Sequence, residues 1–159
     1  MSGRPIVAIA VLAVAGAGVA AQVAPGQSAT ARKALSAVMT GKKEVGTDGK
    51  KGAGDPDGFG SFTAIAAGGK LCFGMTVRGI DDPVAAHIHK GGPSVMGSIV
   101  VPLTQPSTGN AGASSGCVAV SKPALLAAIV RHPSQYYVNV HTKAFPGGAL
   151  RGQLSTARS

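Results

Sequence analysis

The feature that most restricts this chain is its punctuation. From Lys33 to Leu154, short apolar segments of strand length are separated by clusters of Gly, Pro, Asp and Asn. Leu71, Phe73, Met75 and Val77 alternate with Cys72, Gly74 and Thr76, giving one apolar and one mixed side. Phe59 to Ala66 precedes that segment across Gly68-Gly69, a two-residue hairpin signal. Leu35, Ala37 and Met39 suggest an earlier strand, although Val38 blurs its alternation. Ile99 to Leu103, Cys117 to Val120 and Ala149 to Leu154 continue the series, and Thr104 to Gly116 reads as a surface loop. One segment has helical character. Ala124 to Val130 starts behind Ser121-Lys122-Pro123 and stops at His132-Pro133. About seven or eight short strands with one helix in a crossover predict an all-β antiparallel sandwich or barrel.

The N-terminus has a different character. Arg4 precedes an aliphatic run from Ile6 to Ala17, and Val19-Ala20-Ala21 supplies small residues for cleavage. Residues 1–21 therefore read as a signal peptide cut after Ala21, too short for a comfortable membrane span and without a basic stop signal. Residues 22–32 read as a flexible lead-in, and 33–155 as the folded domain. The expected location is outside the cell or in its envelope. In that setting Cys72 and Cys117 are expected to form one disulfide. A metal or redox pair is the less favoured alternative, because each cysteine stands alone in a β-like run.

The charge of +9 is scattered, with no run of basic residues longer than a pair. Aromatic residues are 4% of the chain, which argues against the stacking platforms of single-strand nucleic-acid binders, and no basic helix is visible. Nucleic acid is not an expected partner. Weak attraction to anionic envelope polymers, or a protein partner, is the expectation that remains.

Two stretches carry the candidate chemistry. In Ala85-Ala86-His87-Ile88-His89-Lys90-Gly91-Gly92, His87 and His89 share one strand face, opposite Ala86 and Ile88. In Tyr136-Tyr137-Val138-Asn139-Val140-His141-Thr142, His141 shares a face with Tyr137 and Asn139, opposite Tyr136, Val138 and Val140. With the aliphatic faces in the core, the three histidines emerge on outer faces. Same-face neighbours on a strand stand about 6.5 to 7 Å apart at the backbone, so two imidazoles can converge on one ion and a third can complete a trigonal set. Imidazole suits copper and zinc. The competing structural reading has these rings bonded to loop carbonyls or to one another, with no acidic residue adjacent in sequence to orient them. Two further patterns are weak. Gly112-Ala113-Ser114-Ser115-Gly116 matches Gly-x-Ser-x-Gly but lacks a strand before and a helix after it. Asp55-Pro56-Asp57-Gly58 reads as a turn without calcium-loop spacing.

The two histidine stretches, with Pro146-Gly147-Gly148-Ala149-Leu150-Arg151-Gly152-Gln153-Leu154, resemble the CHRD domain. That module is repeated in the secreted growth-factor antagonist chordin and occurs alone in exported bacterial proteins. The resemblance spans roughly Leu35 to Leu154. It implies an immunoglobulin-like sandwich and no settled biochemical activity. A weaker similarity, to copper-zinc superoxide dismutase, matches His87, His89 and His141 to three of the four copper ligands and places Arg151 near an anion-guiding arginine. The bridging ligand and the zinc histidines are missing, the His141 to Arg151 interval is shorter, and the cysteines are placed differently. These departures argue against dismutase activity.

The sequence thus supports a non-enzymatic exported module with a binding or envelope role. The alternative is a copper- or zinc-binding protein using His87, His89 and His141, with redox activity open to it. No catalytic residue is identified. Arg151 is expected on a non-core face, donating to carbonyls or a carboxylate and so organising the terminal strands.

Overall fold

A computed structural model describes residues 33–157; the expected signal peptide and lead-in lie outside the described residues. The strands are β1 (Ala34–Thr40), β2 (Phe59–Ala67), β3 (Lys70–Arg78), β4 (Pro83–Lys90), β5 (Ser98–Leu103), β6 (Gly112–Ala119), β7 (Tyr136–Thr142), β8 (Leu150–Gln153) and β9 (Ser155–Thr156). The helix α1 (Pro123–Arg131) lies between β6 and β7. Strand order is β5-β4-β7-β8-β1-β2-β3-β6, antiparallel at every step, with β9 added to β1. Only Thr40 and Arg151 pair across the β8–β1 step, so the path divides naturally into two four-stranded halves. The fold is an all-β, nearly closed sandwich.

Alternation decides what enters the core. Leu35, Met39, Phe62, Leu71 and Met75 from one half meet Ile88, Val101, Val138, Val140 and Leu150 from the other. Phe62 and Phe73 stack there with ring centroids 6.0 Å apart. Val38, which blurred the first strand's pattern, is 51% exposed and points outward with Ser36 and Thr40. The Ala67–Lys70 pair closes the first hairpin over Gly68 and Gly69, at φ 56° and 74°. Positive φ at both central positions is what such a turn requires and glycine accepts freely.

One segment differs from its sequence reading. The last part of the expected loop, Gly112 to Gly116, is the start of β6, paired with Val77 to Phe73 of β3. Its small residues carry little apolar alternation, so the strand is set by the hydrogen-bonding edge that β3 presents. Ser114 is thus a strand residue whose Oγ donates to the Thr104 carbonyl at 2.8 Å, not a nucleophile on an elbow. Asp55 and Asp57 form a local turn, with Asp55 Oδ1 accepting the Asp57 N–H.

Cys72 and Cys117 are directly opposed on β3 and β6 and form a disulfide across a sequence separation of 45. The bond lies on the outer side, with Cys117 exposed. In the chain-entropy model, closing such a loop contributes about 4 kcal/mol through the unfolded state. Among the described residues no helix is long and apolar enough to cross a membrane.

Candidate metal centre

Strand register brings the three histidines together. His87 is opposite Asn139, His89 opposite Tyr137, and Ala85 opposite His141, so His141 is the diagonal neighbour of His87 on one sheet face. Ring centroids are 5.2 Å apart for His87 and His141, 5.7 Å for His87 and His89, and 6.1 Å for His89 and His141. One ring nitrogen from each lies within 4.8 Å of the others. His132, the fourth histidine, is exposed and outside the cluster.

Backbone carbonyls set the tautomers. His89 Nδ1 donates to Gly97 O at 2.9 Å, and His141 Nδ1 donates to Pro146 O at 2.9 Å. A neutral imidazole with its proton on Nδ1 carries its lone pair on Nε2. His141 Nε2 faces His87 Nδ1 at 3.3 Å, while His89 Nε2 is buried and has no partner. The carbonyl bonds of the structural reading are therefore present, and they leave ligating nitrogens free. Burial holds His87 below the ordinary imidazole range, with His141 and His89 adding to the effect. Burial also lowers His89, against an opposing contribution from its bond to Gly97. Both shifts favour the neutral ring, the form that ligates a metal.

On this outer face His87 and His141 are half-buried, and His89 is covered. His89 is only 8% exposed, because the loop from Gly91 to Gly97 folds back over it. A Cβ at Gly97 would fall 1.7 Å from the Lys90 carbonyl, so only glycine permits this return. Tyr137 stacks on His89 with centroids 4.8 Å apart and planes 8° from parallel. Its hydroxyl accepts the Gly97 N–H at 3.1 Å. Gly97 is thus held by both members of the stack.

Arg151 and Gln153, on β8, fasten the rest of that loop. Arg151 Cζ lies 3.4 Å from the Tyr137 ring centroid. Since β4 and β8 flank β7, the guanidinium and the His89 ring approach Tyr137 from opposite sides. Arg151 Nη2 donates to Gly92 O at 2.7 Å and Val95 O at 3.0 Å. Gln153 Nε2 donates to the carbonyls of Gly91, Ser134 and Tyr136. Arg151 is on the face opposite Leu150, yet it is 1% exposed and ties down the β4–β5 loop rather than the terminal strands.

The acid missing from the local sequence arrives from a distance. Glu44, the one glutamate of the chain, is buried after β1; its Oε2 accepts from Asn139 Nδ2 and its Oε1 from the Val45 N–H at 3.0 Å. Burial raises its carboxyl, partly offset by the Val45 bond and by nearby Arg151. Glu44 escaped the sequence reading because it sits in a lysine-rich turn with no pattern linking it to β7. Asn139 and Gln153 were equally silent. Their alternation marked only a face, not its partners.

The CHRD domain family model matches residues 35–154. The chain belongs to the CHRD family. No curated protein and no solved structure shows a significant match to it. The matched span runs from the first core residue of β1 to the end of β8 and Leu154, so the histidine cluster, Glu44 and Arg151 all lie inside the CHRD domain.

Proposed function

We propose that the protein is an exported CHRD-domain protein that binds a copper or zinc ion through His87, His89 and His141. The observation that carries this reading is the buried, unpartnered Nε2 of His89 beside ring nitrogens of the other two histidines. A buried polar atom without a partner costs stability, and a coordinate bond would remove that cost. Carbonyl bonds to the other ring nitrogen orient His89 and His141, as outer partners do in metal sites. Ligands about 2.0 to 2.1 Å from one ion stand roughly 3.3 to 3.6 Å from each other, so the rings close in by about 1 Å on binding. His87, which has no carbonyl anchor, is the ring freest to move. Three neutral donors leave a coordination position open, and a copper form would have redox chemistry available.

Export is supported by the leader-like N-terminus and by the Cys72–Cys117 disulfide. The role is binding within the envelope or outside the cell, not turnover of a substrate.

Calorimetry with copper and zinc salts on the purified protein, compared with His89→Ala and His141→Ala, tests the site. Binding at neutral pH that is lost in both variants is expected. Equal affinity in all three proteins, or no binding near neutral pH, would leave the histidines as structural groups.

A further inference from the structure

On the Arg151 side of Tyr137, a cavity of about 200 Å³ is lined by Lys43, Lys51, Pro93, Arg151 and Gln153. Three of these five residues are cationic. Among the described residues the one ion pair joins Lys50 and Asp48, so none of the three is in an ion pair. Lys43 Nζ is held in place by the Val38 carbonyl at 2.6 Å. Glu44 is the acid that acts on Arg151, but its two oxygens already accept from Val45 and Asn139.

Two of the lining residues also have unused bonding capacity. Arg151 Nη1 and Gln153 Oε1 are buried without a partner, one a donor and the other an acceptor. Arg151 directs Nη2 to the Gly92 and Val95 carbonyls, which fixes the guanidinium in one orientation. A buried cation whose neighbouring carboxylate is already committed to other donors is disfavoured by desolvation, and burial lowers the Arg151 pKa against opposing contributions from Tyr137 and Glu44.

We propose that this cavity binds a phosphate group, either free or carried on an envelope polymer. Two ammonium groups and a guanidinium around one cavity match an anion with several acceptor oxygens, and phosphate offers more of these than a carboxylate. The cavity has room for more than the ion itself, as a polymer-linked phosphate requires. The proposal stands apart from the metal reading, since none of its lining residues is one of the three histidines.

Calorimetry at low salt with inorganic phosphate, and separately with poly(glycerol phosphate), tests it. The test variant is Lys43→Gln/Lys51→Gln, both exposed lysines; the charge-matched control is Lys70→Gln/Lys122→Gln. The cavity variant should bind about tenfold or more weakly, with the control unchanged. Arg151→Lys, whose melting is checked in parallel, should weaken binding too, because it keeps the charge and loses the fork. Binding of inorganic phosphate alone would assign the free ion as ligand. Selective loss of polymer binding in the cavity variant would assign polymer-borne phosphate. No binding of either probe, or equal weakening in both double variants, would reduce the effect to general charge attraction and overturn the site.

Discussion

Both faces of the β4-β7-β8 sheet hold buried side chains, by different means. On the inner face Ile88, Val138, Val140 and Leu150 meet the apolar side chains of the other half. On the outer face His89, Tyr137, Asn139 and Arg151 are buried just as thoroughly, beneath Gly91 to Gly97 and the segment around Glu44. Apolar burial is non-directional and leaves nothing unpaired. Polar burial demands a partner for each atom. Among the described residues, the four buried side-chain atoms without one belong to His89, Asn139, Arg151 and Gln153, all on the outer face. Stability is therefore expected to reside mainly inside, and binding outside.

The largest expected effect lies on the inner face. Ile88→Ala removes a fully buried side chain and should cost about 2 to 5 kcal/mol in denaturant unfolding, with metal affinity of the folded protein unchanged. A loss well under 1 kcal/mol would erase the contrast between the faces.

Arg151→Met comes next. It strips donors from the Gly92 and Val95 carbonyls and should cost about 1 to 3 kcal/mol, with faster exchange of the Gly97 amide. Unchanged stability and exchange would mean that the loop is held by something other than the guanidinium.

His89→Ala sharpens the comparison from the other side. It gives up one carbonyl bond and one unpartnered nitrogen, so stability should change by about 1 kcal/mol or less. Metal affinity should fall more than about a hundredfold, beyond what loss of an outer-shell partner causes. A large unfolding effect with intact metal binding would assign the ring to the scaffold.

Acidification should give the smallest effect. The folded protein holds His87 and His89 below the ordinary 6.5, so as pH falls the unfolded chain takes up protons first. Their contribution to stability is constant above about 6.5 and is lost as pH drops towards the lowered values. Glu44 acts in the opposite sense. Its carboxyl is raised above 4.5, so its contribution declines as pH rises through that window. Unfolding measured across a pH series in the native and Glu44→Gln proteins separates the two. Stability that still rises on acidification in Glu44→Gln would contradict the neutral, buried histidines.

What was legible in the sequence was local. Alternation along Leu71 to Val77 and along the two histidine stretches identified the core face, because side chains change sides at every strand residue. The same periodicity put His87 and His89 together, and it put Tyr137, Asn139 and His141 together. It was weakest at β6, where small residues alternate little and the edge of β3 decides.

Only the tertiary structure decided what covers the outer face. Glu44 reaches Asn139 across 95 residues of sequence. Beside them Gly148, at φ 139°, leaves the space that a Cβ would take from the Glu44 carboxylate. Gly97 permits the equivalent return of the β4–β5 loop onto His89. These are close approaches between distant segments, set by shape and by the pairing of buried polar atoms. A strand's own period of two records which side a residue is on, and nothing of what arrives to meet it.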